Sequence, residues 1–309
     1  DREFEQPALN DYPELRAALA NGGSVALSED VTISAPLVVE SGKTVEIDLN
    51  GHDIINTTSL PDTDPRYGNT TVFEVKGDAT LNIKGDGDVK AIGTNLNEDG
   101  YRMAVYAYGD AQVNIYGGNF SNDQDYNNHQ AQLDLIYADQ NAVINIYGGT
   151  FESKSANDRG YWVLNLKDGS NAAINVYGGT FVNFDPSNSM TENPVKNFVV
   201  ATSTTVKVSE DPQPNGSYEV VPEGGVVSVP IEVNDAESLI EALSNPVVAN
   251  IEVASSIDLS EKSAEELTFE EYKTIDIKEG VTIRLGQTNC LTAEKGLTLT
   301  GKGTIDNTS

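Results

Sequence analysis

The sequence is poor in the side chains on which most catalytic and metal sites depend. Its 309 residues include one cysteine, Cys290, two histidines and one tryptophan. A single cysteine excludes an intramolecular disulfide and any cysteine-based metal cluster. His52 and His129 are far apart and neither adjoins a serine or cysteine arrangement, so neither predicts a catalytic site. Phosphate-binding glycine loops that open a helix and the Gly-x-Ser-x-Gly motif are also absent.

Positive charge is scarce as well. The chain has 19 Lys+Arg against 48 Asp+Glu, a formal net charge of -29 at pH 7. This charge repels the phosphates of a nucleic acid, and no local basic cluster offsets it. It also disfavours an anionic membrane surface. No segment approaches the roughly 20 consecutive apolar residues of a spanning helix. We therefore expect no nucleic-acid partner, because of the charge, and no membrane insertion of this chain, because it lacks such a segment.

An internal repeat determines the predicted architecture. Three segments read VNIYGGNF, INIYGGTF and INVYGGTF, and their tyrosines are 31 and 30 residues apart. Each alternates apolar and polar residues, which predicts a strand with one buried face. A second strand-like segment precedes each copy, and no helical pattern lies between them. Because such a unit cannot bury its own apolar face, successive units must coil onto one another.

This coiling predicts where the repeated side chains lie. The tyrosines should line up on the outside of the column, and the phenylalanines that follow the Gly-Gly pairs should return to the core. The three aligned segments are 113–120, 144–151 and 174–181. Hairpin sheets are the main alternative, but they need tight turns of the Asn-Gly type between neighbouring strands.

These repeats, together with the segment 43–52 (KTVEIDLNGH), resemble the right-handed parallel β-helix of the pectate-lyase-like superfamily. More narrowly, they are similar to surface lipoproteins of Bacteroides-type gut bacteria. The resemblance covers roughly residues 10 to 210. It implies an all-β, right-handed parallel β-helix solenoid at the outer cell surface or outside the cell. It also implies that residues 1–10 are a flexible tether, with a lipid anchor on an N-terminal leader that has been removed.

The chain also carries two copies of a capping helix pattern, which predicts two units. In the first copy Asp11 is the expected N-cap, with Glu14 three residues later and Pro13 in the first turn. The pattern recurs around Asp235, 224 residues on. We expect a capped β-helix unit over 11–228, and a second cap helix with only opening rungs over 229–309.

The second unit therefore predicts an open last rung. We expect either that the natural polypeptide continues past Ser309 or that another chain covers this rung, for example by end-to-end self-association.

The first candidate ligand site lies in three inserts that pair an arginine with a tyrosine. A guanidinium can bind a carboxylate or sulfate through two parallel hydrogen bonds, and a tyrosine ring can stack on a sugar. The alternative is that each arginine pairs with a neighbouring aspartate and only fixes its own loop. The residues concerned are Arg66 and Tyr67, Tyr101 and Arg102, and Arg159 and Tyr161.

The second candidate is the line of Tyr116, Tyr147 and Tyr177. Parallel rungs lie about 4.8 Å apart, so the rings can stack into a strip along which an extended glycan could bind. The alternative is that the stack only stabilises the sheet.

A calcium loop is the third candidate. Asp123, Asp125, Asn127 and Asp134 have the oxygen-ligand spacing of such a loop. Asn128 stands where an EF-hand has its glycine, so a solvated polar loop is the alternative. No other cofactor is indicated.

The leading functional interpretation is a non-enzymatic, adhesin-like protein that is secreted or displayed on the cell surface and binds a glycan or a protein receptor. The alternatives are a polysaccharide lyase or glycoside hydrolase acting on an acidic polysaccharide, and a purely structural stalk. Hydrolysis needs paired acids at a fixed separation, whereas the repeated outward positions are amides, threonines and tyrosines. The net charge also repels an anionic substrate.

Overall fold

The protein, described here from a computed structural model, folds mainly into short parallel strands. The chain divides into two compact units, Asp1–Thr205 and Val206–Ser309, and each is described by itself. For residues 10, 123, 124, 154 and 155 only the backbone is described. The structure describes residues 9–57, 71–92, 102–124, 134–155, 162–189, 193–209 and 216–308.

The first unit opens with a 3-10 turn, Leu9–Asp11, and one helix, α1 (Pro13–Asn21). Short strands then follow one another along the chain. In chain order they are β1 (Gly23–Ala26), β2 (Val31–Ile33), β3 (Leu37–Val39), β4 (Thr44–Asp48), β5 (Ile54–Asn56), β6 (Phe73–Val75), β7 (Thr80–Lys84), β8 (Asp88–Ala91), β9 (Val105–Ala107), β10 (Gln112–Ile115), β11 (Asn119–Gln124), β12 (Ile136–Ala138), β13 (Val143–Ile146), β14 (Thr150–Ser155), β15 (Leu164–Leu166), β16 (Ala173–Val176) and β17 (Gly179–Val182).

Every third strand joins the same sheet. Sheet A has the order β1-β4-β7-β10-β13-β16, sheet B contains β2-β5-β8-β11-β14-β17, and sheet C is β15-β12-β9-β6-β3. Among β1 to β17, neighbouring strands within these sheets run parallel. A chain that adds one strand to each sheet in every pass is a parallel β-solenoid. The all-β solenoid prediction is therefore confirmed, and the hairpin alternative is wrong for these sheets.

The core is a column of like side chains, because successive rungs are in register. Phe120 pairs with Phe151, and Phe151 with Phe181, on neighbouring strands of sheet B. Their ring centroids are 5.1 Å apart in both steps, with interplanar angles of 9° and 14°. Each ring is at most 1% exposed. The predicted return of these phenylalanines to the core is confirmed.

Glycine pairs form the corner between sheets A and B, where successive rungs approach each other closely. Gly149 has a φ of +104°, and a Cβ added there would lie 2.8 Å from the carbonyl oxygen of Gly118 on the preceding rung. Only glycine combines this backbone conformation with such a contact. The glycine pairs therefore place no side chains of their own at this corner.

Helix α1 begins one residue later than predicted. Tyr12, rather than Asp11, is the N-cap, and no side chain caps the helix. The residue before a proline is excluded from the helical conformation, so Tyr12 cannot join the helix and Pro13 becomes its first residue. Leu15, Ala18 and Leu19 are buried, and the helix contacts β1, β3 and β4. Leu9 is also buried, so the predicted tether, 1–10, ends in this turn; residues 1–8 lie outside the described residues.

The second unit repeats the arrangement of a helix followed by parallel strands. Asp235 caps helix α2 through the backbone N–H of Ser238, as the sequence pattern predicts, and Ser238 completes a capping box. No helix within the described ranges is long and apolar enough to cross a membrane. The elements are β18 (Ser203–Ser209), which begins just before this unit, β19 (Ser217–Pro222), β20 (Ile231–Val233), α2 (Ala236–Ser244), β21 (Asn250–Val253), β22 (Ile257–Asp258), β23 (Thr268–Phe269), β24 (Lys273–Ile277), β25 (Thr282–Arg284), β26 (Thr292–Ala293), β27 (Leu297–Gly301) and β28 (Thr304–Asp306).

Three small parallel sheets build this second solenoid. Their orders are β20-β21-β24-β27, β22-β25-β28 and β23-β26, and the pairs within them run parallel. Val206, Val208 and Val227 are buried in the same core as Leu239 of α2. The compact unit Val206–Ser309 thus includes these valines in its core. The predicted domain bounds, 11–228 and 229–309, stay a prediction.

We expect Gly149→Ala to lower the free energy of unfolding of the first unit more than Gly169→Ala does. Both positions have a positive φ, which costs alanine about 1–2 kcal/mol. At Gly149 the added Cβ also clashes with backbone, which we expect to lower the free energy of unfolding by about a further 1–3 kcal/mol. At Gly169 nothing lies within 4 Å of an added Cβ. Urea unfolding followed by the fluorescence of Trp162, the only tryptophan, measures both. Equal losses would contradict the close approach of the rungs.

Candidate functional site

The predicted tyrosine line exists and is in register. Tyr116, Tyr147 and Tyr177 come directly after β10, β13 and β16 of sheet A. The backbone N–H of Tyr147 donates to the carbonyl of Ile115 at 2.8 Å, and that of Tyr177 to Ile146 at 2.8 Å. Each tyrosine is therefore held by the same main-chain bond one rung further along. This part of the sequence prediction is confirmed.

The three rings stack on one another and stay accessible. The centroids of Tyr116 and Tyr147 are 4.9 Å apart with an interplanar angle of 7°, and those of Tyr147 and Tyr177 are 4.8 Å apart with 16°. Tyr116 is 52% and Tyr147 42% exposed. Tyr147 has a ring on each side, so it is exposed mainly at its edge and its hydroxyl, whereas Tyr116 and Tyr177 each stack on one ring of the column.

The tyrosine hydroxyls are available for a ligand. No hydrogen bond joins the hydroxyl of Tyr116, Tyr147 or Tyr177 to another group among the described residues. Partial burial raises the pKa of Tyr147, and the neighbouring Tyr177 and Tyr116 raise it further. The hydroxyl of Tyr147 is thus protonated at neutral pH, and a phenolic hydroxyl can both donate and accept a hydrogen bond.

A ladder of asparagines runs beside the tyrosines, two residues earlier on each rung. Asn114 donates to the Oδ1 of Asn82 at 2.8 Å, Asn145 to Asn114 at 2.9 Å and Asn175 to Asn145 at 3.0 Å. These bonds use one N–H of each donor amide along the ladder. The second N–H of each amide is not used by these bonds.

Together these columns form an uncharged surface, which we call the Tyr–Asn face. It consists of the outward positions of the last three rungs of sheet A, which measure about 10 Å along the column and about 13 Å across it. Charged side chains enter only on earlier rungs, where Lys84 pairs with Glu46 at 2.8 Å. The members are Gln112, Asn114, Tyr116, Val143, Asn145, Tyr147, Ala173, Asn175 and Tyr177.

The predicted arginine–tyrosine site is placed only in part. Arg102 is 3% exposed, so its guanidinium faces the protein interior rather than solvent. The other members, Arg66, Tyr67, Tyr101, Arg159 and Tyr161, lie outside the described residues. The proposed clustering of these loops stays a prediction.

The predicted calcium ligands are also placed in part. Asp134 accepts a 2.8 Å hydrogen bond from the side chain of Asn165. Asp123 lies in β11, but its side chain is not described, and Asp125 and Asn127 lie outside the described residues. Within those residues, no group of three or more His, Cys, Asp or Glu side chains could hold a metal ion.

A second aromatic cluster, on sheet C, was missed from the sequence. Tyr106 lies 4.9 Å from Tyr108 and 5.7 Å from Tyr137 between ring centroids. The hydroxyl of Tyr108 donates to Glu74 at 2.7 Å. An alignment of β6, β9 and β12 would have placed Glu74, Tyr106 and Tyr137 in one column, but these short strands carry no repeated motif.

The carboxylates do not show the pKa pattern of a glycoside hydrolase. Among the described residues, each acid with a shifted pKa has it lowered, and a hydrogen bond to the carboxylate is the largest cause in every case. A general acid for glycosidic cleavage needs a raised pKa. The acids are Asp30, Asp78, Asp235, Asp258, Glu266 and Asp306.

Comparison with known proteins adds no relative. No family model matches the chain, and no curated protein and no solved structure matches it either.

We expect Asn145→Asp to destabilise the first unit by about 1–3 kcal/mol at pH 7, because the carboxylate cannot donate to Asn114. A protonated carboxyl can donate, so the loss should shrink as pH falls through its pKa, which the facing oxygen raises above about 3.9. Urea unfolding at several pH values measures this. Asn171→Asp is the control, since Asn171 is exposed and its bond is 3.4 Å. A pH-independent difference would contradict the ladder.

We expect Tyr108→Phe to flatten the loss of stability at high pH. Burial raises the pKa of Tyr108 above 10.0, and the hydrogen bond to Glu74 raises it further. The folded state therefore favours the neutral phenol, whose contribution is complete below pH 10 and is lost as pH rises toward the higher folded pKa. Urea midpoints from pH 8 to 11.5 should fall less steeply for the variant. Parallel curves would contradict this role of Tyr108.

Proposed function

We propose that this protein is a non-enzymatic binding protein that holds an extended glycan on the Tyr–Asn face. The observation that carries the proposal is the in-register column of exposed tyrosines beside an asparagine ladder. Tyrosine and amide groups combine apolar contact with hydrogen bonding, as carbohydrate recognition requires. A protein receptor with an extended, polar surface is the other partner that this face fits.

The rigidity of the face supports binding. Main-chain hydrogen bonds fix every rung, and the rings and amides are already held by their neighbours. A ligand therefore loses little affinity to ordering of the protein. Solenoids commonly offer extended surfaces of this kind to a partner.

These observations give less support to the two alternatives, a lyase or hydrolase and a structural stalk. A lyase or hydrolase rests on the resemblance to the pectate-lyase-like superfamily, and fold likeness alone does not carry an activity. In a structural stalk the ladders would provide stability. The tyrosine hydroxyls, which bond to no other described residue, would then have no role. Incubation with polygalacturonate and calcium, followed by ultraviolet absorbance of unsaturated products, tests the lyase; clear turnover would overturn the proposal.

The finer features of the resemblance belong to the same proposal. We infer that each solenoid unit is right-handed and that α1 and α2 cap the two units. We also place the protein at the cell surface or outside the cell, as in the Bacteroides-type lipoproteins. A binding face on a rigid column suits such a location.

The decisive test replaces the tyrosines together. We expect Tyr116→Ala/Tyr147→Ala/Tyr177→Ala to lose binding on an array of mucin glycans and plant polysaccharides, because both ring edges and hydroxyls are removed. Tyr272→Ala is the matched control, since Tyr272 is 50% exposed but lies in the second unit. Trp162 fluorescence shows whether each variant is folded. An array on which the wild type binds nothing, or on which the triple variant binds normally, would remove the glycan-binding proposal.

A further inference from the structure

We infer that the Tyr–Asn face selects uncharged, hydroxyl-rich chains and recognises them through its hydroxyl and amide groups rather than through ring faces. This inference rests on the proposed function, because it names the class of glycan and the contacts that distinguish it. The inferred ligands are neutral polysaccharides, whereas the β-helix resemblance suggests acidic ones.

The first argument is charge. The protein carries a formal net charge of -29, yet all nine outward positions of the last three rungs of sheet A are uncharged. A polyanion on this face would find no cation among its nine positions, and Lys84 on the preceding rung is already paired with Glu46. A neutral chain is not repelled, so the field of the whole protein favours it.

The second argument is the orientation of the rings. Parallel aromatic rings in contact prefer an offset arrangement, and the centroid distances of 4.9 and 4.8 Å at interplanar angles of 7° and 16° fit it. The faces of Tyr147 are thus shared with Tyr116 and Tyr177, and no sugar can stack on them without breaking the column. What remains accessible is a row of phenolic hydroxyls at the spacing of the rungs.

The third argument is the hydrogen-bonding character of the exposed groups. Phenolic hydroxyls donate and accept, and the half-buried amides of Asn114 and Asn175 each have a second N–H beyond the one they give their neighbours. Asn145, between them, is buried. Sugar hydroxyls also donate and accept, so they can satisfy both kinds of group. A carboxylate only accepts, so it leaves the acceptor side of the tyrosine row unused.

The glycine corner leaves this row open. Gly117 and Gly148 follow Tyr116 and Tyr147 directly. A Cβ at either would lie 2.9 Å or 2.8 Å from a carbonyl oxygen of the preceding rung. No side chain at these positions can therefore overhang the hydroxyls. The row therefore lies at an edge of sheet A where the glycine pairs place no side chain over it.

The experiment is native affinity electrophoresis of the full chain in gels that contain one soluble polysaccharide each. The neutral probes are mixed-linkage glucan, galactomannan and arabinoxylan, and the anionic probes are polygalacturonate and chondroitin sulfate. Four proteins are compared: the wild type, the triple Tyr→Phe variant at 116, 147 and 177, the triple Tyr→Ala variant at the same positions, and Tyr272→Phe as control. The phenylalanine variant keeps the stacked rings and removes only the hydroxyls.

We expect the wild type and Tyr272→Phe to be retarded by at least one neutral probe and by neither anionic probe. The triple Tyr→Phe variant should bind at least about tenfold more weakly, since each of three net hydrogen bonds contributes a factor of about two to twelve. The triple Tyr→Ala variant should bind as weakly or more weakly. This pattern supports both parts of the inference.

Three results would overturn it, and they differ from one another. Retardation by the anionic probes alone, lost in Tyr→Ala, would reject the neutral class but keep the proposed function. Normal binding by Tyr→Phe with loss in Tyr→Ala would show that the rings, not the hydroxyls, make the contacts. Retardation by no probe, or equal retardation of all four proteins, would remove the proposed function and this inference with it.

Discussion

The register between parallel rungs is the constraint on which the rest of this structure depends. Each rung adds the same main-chain bonds to the previous one, so residues at equivalent positions lie about 4.8 Å apart in columns. Like charges at that distance repel each other, whereas rings and amides attract. A repeated outward position is therefore stable as tyrosine or asparagine without a counter-charge. Where carboxylates do form a column, at Glu232, Glu252 and Asp276 of the second unit, Lys278 pairs with Glu252 at 2.7 Å.

The same ladders give the protein both stability and a surface. Inside, Phe120, Phe151 and Phe181 fill the core with one stacked column. Outside, the stacked tyrosines and paired amides fix each other, and no hydrogen bond to another described residue occupies the tyrosine hydroxyls. A surface made rigid in this way needs no loop to close on a ligand, so the proposed binding differs from that of enzymes that use mobile loops.

Much of the fold could be predicted because its signal is local and repeated. The period of about 30 residues and the alternation within each copy placed the tyrosines outside and the phenylalanines inside, as observed. The position of the α1 cap was wrong, since Pro13 excludes Tyr12 from the helix and makes it the N-cap. Val206 and Val208 belong to the second core, because burial depends on contacts with residues far along the chain.

The sequence by itself determined which side chains share a column, since spacing and alternation fix register once the rungs stack in parallel. Only the tertiary structure decided how those side chains use the column: that the rings stack offset and show their edges, that the amides pair along the axis, and that Arg102 is buried. It also brought Tyr106, Tyr108 and Tyr137 together on sheet C. Side-chain orientation and burial depend on distances between rungs and on neighbours from other segments, which no single stretch of sequence contains.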